Sequence, residues 1–233
     1  MKNTNSCPTD PTEEHHRRRA LAILSDYVSG HKKERMEAVL NLRTEHITVV
    51  LEDIYQPHNA AAVIRTCEAF GIQDLHVIEK EKLFSPAKDI AVGSQKWITL
   101  HHHRGSRATE HCLTSLRGKG YSLAALTLDE SATPLQQLPL DQPLALCIGS
   151  EKPGLTETTQ FQCDQKVIIP MFGFAQSFNL SVAVGIALQL LVPQLHRSTI
   201  DWRISANRRD SLRLEWYKKS IRNADLILER EMT

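Results

Sequence analysis

The stretch ITVVLEDIYQPHNAAAVIRTCEAFGIQDLHVIE, residues 47–79, contains two apolar runs with a helical segment between them. The runs at 47–54 and 74–79 are rich in aliphatic and β-branched residues, which is typical of parallel strands buried on both faces. Between them, residues 59–70 are predicted to form a helix. The stretch therefore predicts a strand, a helix and a second strand, the repeating unit of an α/β fold.

The same alternation continues towards the C-terminus. It predicts a mostly parallel sheet with helices on both faces. Ligands of such open sheets bind beyond the carboxyl ends of the strands, so the loops there are the first places to search for a site. The further strands are predicted at 121–128, 143–150 and 166–171, and the further helices at 107–116, 155–160 and 177–191.

Both ends of the chain differ from its middle. Residues 1–16 lack periodicity and predict a flexible tail. Helices are predicted at 16–28, ended by Gly30, at 32–42, and as one closing helix at 211–230. We therefore expect three parts, which are a tail with a helical extension (1–45), an α/β domain (46–195) and a second helical extension (196–233).

Composition excludes several classes of protein. The chain of 233 residues has a formal net charge of +1 and 41% hydrophobic residues, as expected of a globular protein. Its longest apolar stretch, 180–192, is too short to cross a bilayer, and its first residues lack the apolar core of a signal peptide. We therefore expect a cytoplasmic protein without a membrane span.

The cysteines and histidines show no ligand pattern. Five cysteines are scattered without a CxxC pair, so neither a disulfide framework nor a zinc site is predicted. His101, His102 and His103 are consecutive, so their side chains point in different directions, and no cysteine or carboxylate pattern joins them. We expect no bound metal.

The segment PHNAAAVIRT, residues 57–66, is the first candidate for chemistry. Asn59 is predicted to cap the helix over 60–69, and Arg65 follows about 240° further around that helix, so the two side chains do not share a face. They are either a capping Asn and a solvated Arg, or parts of a phosphate site at a helix start.

Two later loops also carry unusual residues. IGSEKPGLTE, residues 148–157, has glycines that allow close approach of a ligand to the backbone, with an ordinary strand-to-helix turn as the alternative. It is neither a Walker loop nor a Rossmann fingerprint, because GK[ST] and GxGxxG are absent. IIPMFGFAQSFNLSVAVGIAL, residues 168–188, places Ser177 and Asn179 directly before a small-residue helix, which permits tight packing at a subunit interface.

In this order and spacing, the three segments resemble the signature motifs of the tRNA/rRNA 2'-O-methyltransferases of the SPOUT superfamily. NAAAVIR, GSEKPG and IPMFGFAQSFNLSVA match motifs one, two and three, and the similarity covers about residues 47–192. QPHNAAAVIRTCEAFGI, GSQKWI and the helical ends are further similar to the branch that methylates a guanosine in the tRNA D-loop. The chain departs from the family pattern at Ala61, Phe178 and Leu180, which puts the shape of the cofactor slot in question.

The resemblance implies a trefoil knot near the C-terminus, a homodimer, bound S-adenosylmethionine (AdoMet) and a tRNA substrate. It implies that Arg65 acts on the ribose 2'-hydroxyl together with a substrate phosphate. Orienting that hydroxyl is chemically easier for an arginine than accepting its proton, because the pKa of arginine is about 12 or above. The resemblance further implies catalytic support from Asn59, Glu151, Ser177 and Asn179, and cofactor contacts, largely through backbone atoms, from Leu126, Thr127, Gly149, Gly154, Ile169 and Phe178.

Guanosine 18 of the D-loop is the expected target, and other targets and roles stay open. Enzymes of the same branch methylate ribosomal RNA or the wobble ribose of tRNA, and a catalytically silent RNA-binding or assembly factor can share the scaffold. About 45 residues before the core and extensions at both ends favour the D-loop enzyme. The basic segments 16–19, 101–107 and 203–209 are candidate contacts to RNA phosphates.

Overall fold

The computed structural model describes residues 11–80, 83–87 and 93–232. They form two compact units, one spanning Arg43–Arg203 and one joining the described residues up to Leu42 with those from Ile204 onward. The helices of the described residues are α1 (Pro11–Ser25), α2 (Gly30–Leu40), α3 (Pro57–Ala69), α4 (Ala108–Gly118), α5 (Glu157–Gln162), α6 (Leu180–Arg197), α7 (Ala206–Ser220) and α8 (Ala224–Met232).

The Arg43–Arg203 unit is built on a sheet of seven strands in the order β3-β2-β1-β6-β4-β7-β5. Every pairing is parallel, so the carboxyl ends of all strands lie at one edge. The strands are β1 (Ile47–Glu52), β2 (Asp74–Glu79), β3 (Thr99–Arg104), β4 (Ser122–Leu126), β5 (Thr133–Pro134), β6 (Leu144–Gly149) and β7 (Gln165–Ile168).

Helices cover both faces of this sheet. On one face, Val49 of β1 packs in a core cluster with Val63 of α3 and Val184 of α6. On the other face, Val50 packs with Leu113 and its neighbours on α4. Consecutive residues of β1 thus enter opposite cores, which is why the strands read as continuous apolar runs. The predicted α/β fold with a mostly parallel sheet is confirmed.

Two strands were missed by the sequence analysis, and both lie at edges of the sheet. β3 has the sequence TLHHHR, in which Leu100 is the single aliphatic residue and is only partly buried, and β5 has two residues. An edge strand has one neighbour and more solvent, so it needs no continuous apolar run. Because β3 is polar, its sequence contains no apolar run that would predict a strand.

Helix α6 runs further than predicted, through Pro193 to Arg197. Its length and composition would suffice to cross a membrane. However, Leu188, Leu191 and Leu195 are fully buried in the core cluster beside α3. Burial within the protein therefore accounts for the apolar character of this helix.

The second unit packs α1 against α7 and α8, and α2 against α7. Leu24, Leu40 and Trp216 are buried in it, and Arg213 donates to the carboxylate of Glu37 at 2.9 Å. This bond lowers the pKa of Glu37 despite its partial burial. The unit thus combines a small apolar core with a charged contact between α2 and α7.

Three predictions for the ends of the chain were wrong in detail. Residues 11–16 belong to α1 rather than to a flexible tail, and the rest of that predicted tail lies outside the described residues. Gly30 begins α2 instead of ending α1. The predicted closing helix is two helices, because Asn223 adopts a left-handed φ of 59° that an Asn tolerates and a helix cannot contain.

Candidate active site

A cavity of about 130 Å³ lies at the carboxyl ends of β4, β6 and β7. That volume is roughly ten times what a single water requires, so the cavity is large enough for a small-molecule group. All six residues predicted to contact a cofactor line it, and so do Glu151 and Ser177. The six are Leu126, Thr127, Gly149, Gly154, Ile169 and Phe178.

The loop after β6 folds back on the end of its own strand. A Cβ atom on Gly149 would lie 2.0 Å from the carbonyl carbon of Gly154 and 2.2 Å from the nitrogen of Leu155, so no side chain fits there. Gly154 has a φ of 88°, a conformation that favours glycine. Both glycines are therefore required by the path of the loop, and that path forms one wall of the cavity.

Glu52, at the end of β1, stabilises the loop after β6 through hydrogen bonds. Its carboxylate, 1% exposed, accepts hydrogen bonds from the backbone nitrogen of Thr156 at 2.9 Å and from the hydroxyl of Thr159 at 2.7 Å. Lys80 and Thr109 donate to it at 3.1 and 3.2 Å. Burial alone would raise the pKa of Glu52, but these donors outweigh burial and hold the pKa below its usual value.

One hydrogen-bonded chain joins Asn59, Glu151 and Asn179. These residues come from the loops and helix starts after β1, β6 and β7. The Asn59 amide nitrogen donates to Gln56 at 2.9 Å and to Glu151 Oε1, and its oxygen accepts from Asn179 at 3.1 Å. The second oxygen of Glu151, Oε2, is buried without a hydrogen-bond partner among the described residues. Because Glu151 also lines the cavity, this oxygen is available to a bound ligand.

Arg65 lies apart from the hydrogen-bonded chain of Asn59, Glu151 and Asn179, on an exposed face of α3. It makes no hydrogen bond or ion pair with any described residue and does not line the cavity. The structure therefore brings together ten of the eleven predicted site residues, through the cavity or the hydrogen-bonded chain, and leaves the Arg65 guanidinium free for a ligand from outside the chain.

A family model described as the SpoU rRNA methylase family matches residues 46–189, which is more than half of the chain. The chain belongs to the SpoU rRNA methylase family. The match spans all of the loops that form the cavity and the hydrogen-bonded chain beside it.

Relatives of this SpoU methylase include two proteins named tRNA (guanosine(18)-2'-O)-methyltransferase. The protein of Borreliella burgdorferi is 38% identical over 207 residues, which cover 89% of this chain and 94% of that protein. The protein of Thermus thermophilus is 32% identical over 157 residues, covering 67% and 79%. Among solved structures, an A. aeolicus TrmH/SpoU tRNA modifying enzyme superposes with a TM-score of 0.73 at 25% identity, over 82% of this chain and 96% of that one.

One local prediction for this SpoU methylase is wrong. Asn59 does not cap α3, because the helix begins at Pro57, whose fixed φ suits the first helical position, and Gln56 is the cap residue. Asn59 is instead buried in the first turn, where its side chain reaches two other loops. Asn179 is a true cap, since its oxygen accepts from the backbone nitrogen of Ser181 at 2.9 Å.

Sequence reasoning missed Glu52 and Gln56 at this site. A usable signal was present for Glu52, since an acidic residue that closes an apolar strand becomes a buried charge and requires donors. Those donors come from α4, α5 and the end of β2, far apart in sequence, so the full set of contacts depends on the tertiary structure.

The basic segments of this SpoU methylase are partly engaged within the protein. Arg104 donates to Glu79 at 2.8 Å, Arg17 donates to Ser211 at 3.0 Å, and Arg209 donates to Asn41 at 2.8 Å. Arg203 lies over the ring of Trp202, 4.4 Å from its centroid. Contacts of these segments to RNA stay a prediction.

Proposed function

We propose that the protein transfers a methyl group from AdoMet to the ribose 2'-oxygen of guanosine 18 in the D-loop of tRNA. The observation that carries this proposal is the hydrogen-bonded chain from Glu151, which lines the cavity, through Asn59 to Asn179. It joins residues of all three motifs of a SpoU methylase. Likeness to guanosine-18 enzymes over most of both chains supports the choice of nucleotide.

The cavity fits AdoMet by the chemistry of its walls. Ile148, Ile169 and Leu180 provide apolar surface that suits an adenine, and the glycine loop lets backbone atoms approach a ligand closely. The free Oε2 of Glu151 offers an acceptor to a ligand hydroxyl or amine. When bound, AdoMet supplies an already activated methyl group on a positively charged sulfur.

The protein has to place the ribose and assist the departure of a hydroxyl proton. We propose that Arg65 holds a phosphate of the substrate, because its guanidinium is exposed and has no partner among the described residues. Its very high pKa makes proton acceptance by Arg65 itself unfavourable. Alignment of the 2'-oxygen with the methyl group removes much of the entropic barrier.

We further propose that the active protein is a homodimer with a trefoil knot near its C-terminus, located in the cytoplasm together with its tRNA substrate. Two phenylalanines of the loop after β7 support the dimer. Phe172 is 99% and Phe174 109% exposed, beside the helix start that carries Asn179. Apolar rings so fully exposed next to a site favour burial against a second copy of the chain.

The direct test is transfer of labelled methyl groups to unmodified tRNA, with the modified ribose then mapped. We expect label at guanosine 18 with the wild type. Arg65→Ala should lower the rate at least about 100-fold through loss of alignment while AdoMet binding, measured by calorimetry, is unchanged. Arg35→Ala is the matched control, an exposed arginine of α2 whose loss should leave the rate near that of the wild type.

The outcomes separate the alternatives. Label in ribosomal RNA or at the wobble ribose, with none at guanosine 18, would overturn the proposed substrate and keep the reaction. Binding of AdoMet without transfer to any RNA would favour a catalytically silent RNA-binding factor. Full activity of Arg65→Ala would remove the proposed role of Arg65.

A further inference from the structure

A cluster of nitrogen and sulfur donors lies where β2, β3 and α4 meet, whereas the cavity lies at the ends of β4, β6 and β7. The nitrogen Nδ1 of His76 is 3.0 Å from Nε2 of His103, and their rings are stacked with centroids 5.3 Å apart. Cys112 of α4 is fully buried next to them. One donor atom from each of these three residues lies within 4.8 Å of the others.

We propose that His76, His103 and Cys112 bind one transition-metal ion, with Zn²⁺ as the ion that two imidazoles and a thiolate suit best. In a tetrahedral zinc site, ligand atoms are separated by about 3.3 to 3.6 Å. A movement of about 1 Å, within the reach of side-chain rotation, would bring Cys112 to this spacing. The fourth position would be taken by water or another small ligand.

The surroundings of the cluster decide which histidines take part. His101 stacks on His76 at 4.5 Å between centroids, but its Nε2 is bonded to Asp74 at 2.6 Å. His102 points to the other face of β3, where it bonds to Glu79 at 2.9 Å. The three consecutive histidines thus have different partners, and His103 is the one whose donor atom lies within 4.8 Å of donor atoms of both His76 and Cys112.

The protonation states of the donors are compatible with binding. Burial, with the nearby His101 and His103, lowers the pKa of His76 to about 3, so its ring is neutral and able to coordinate. Burial raises the pKa of Cys112 to about 12, so the metal must displace the thiol proton. The positive charge of Lys119 disfavours a cation at this site, and the negative charge of Asp74 favours one. Binding should therefore release one proton per chain from Cys112.

The consecutive histidines and the lack of cysteine pairs gave no indication of this metal site. The three donors come from positions 27 and 9 residues apart along the chain, on two strands and a helix. Parallel pairing places His76 beside His101 and thereby brings His103 to the same face of the sheet. The site shares no residue with the cavity, so it is independent of the proposed methyl transfer.

Titration of the chelator-treated, tag-free full chain with Co²⁺ tests the proposal, because Co²⁺ bound by a thiolate shows an intense near-ultraviolet charge-transfer band and visible bands of tetrahedral geometry. We expect both bands to saturate at one ion per chain and to disappear when Zn²⁺ displaces Co²⁺. Absence of the charge-transfer band in the wild type would overturn the proposal without recourse to any variant.

Variants assign the ligands. Cys112→Ala should abolish the charge-transfer band, and His103→Ala should weaken binding at least about tenfold. Cys67→Ala is the matched control, since Cys67 is equally buried but lies on α3 in the other core. Circular dichroism checks that each variant is folded. Retention of the band in Cys112→Ala, or its loss in Cys67→Ala, would contradict the assignment. Binding of Co²⁺ without the band would also contradict it, because that result indicates binding by surface histidines.

Discussion

At the scale of single residues, Gly149 determines the shape of the cavity most directly. Gly149→Ala would place a methyl group 2.0 Å from the backbone of Gly154, so the loop after β6 must move away from its strand. We expect AdoMet affinity to fall at least about tenfold, measured by calorimetry. Gly118→Ala is the control, because a Cβ there meets open space, and an equal effect of the two variants would contradict this explanation.

Glu52 is a positioning residue at the same scale, since it touches the loop and not the cavity. Glu52→Gln keeps the size of the side chain but cannot accept the hydrogen bond from the Thr156 nitrogen through its NH₂ group. We expect a loss of about 2 kcal/mol in the free energy of unfolding and a raised KM for AdoMet with a smaller change in kcat. An unchanged KM together with lower stability would show a purely structural role.

The stability effect of Glu52 should depend on pH. Because its folded pKa lies below its usual value, its ionised form contributes stability above the usual pKa, and this contribution is lost as pH falls through the folded pKa. The difference between wild type and Glu52→Gln, measured by urea unfolding, should therefore shrink below about pH 4. A constant difference from pH 7 to pH 3 would contradict the assignment.

At the scale of elements, Asn179 makes two different contacts at the start of α6. The oxygen of Asn179 caps the helix, and its amide nitrogen donates to Asn59 at 3.1 Å. Asn179→Ser should keep the cap and the stability, within about 0.5 kcal/mol, but lower the rate of methyl transfer because the link to Asn59 is lost. Asn179→Ala should in addition lose about 1 kcal/mol of stability.

Denaturant unfolding and methyl-transfer rates, measured on the same samples, separate the effects of these two contacts. If Asn179→Ser is as active as the wild type, the cap alone explains the residue.

The element scale also shows why short-range patterns fail at polar strands. β3 is defined by its pairing with β2 and by the partners Asp74 and Glu79 of its histidines, none of which lies within its own sequence.

At the scale of the whole molecule, the proposed dimer predicts a specific pair of results. Phe172→Ser should shift the protein from dimer towards monomer in sedimentation velocity experiments, because it removes an exposed apolar ring from the proposed contact. Phe161→Ser, at a ring that is 91% exposed on α5, is the matched control and should stay dimeric. A monomeric wild type at micromolar concentration would contradict the dimer itself.

The sequence by itself determined the α/β class, five of the seven strands and the three loops that carry the site. Each of these follows from local patterns, since buried parallel strands read as apolar runs and tight loops require glycine. The resemblance of three ordered motifs predicted six cofactor contacts, and all six of these residues line one cavity.

Only the tertiary structure decided which polar groups meet. The buried role of Asn59, the support of the loop by Glu52 and the facing of His76, His103 and Cys112 all join residues that are distant along the chain. The physical reason is that hydrogen bonds and metal ligation depend on positions in space to within about 0.5 Å, whereas periodicity along a chain specifies only the face on which a side chain lies.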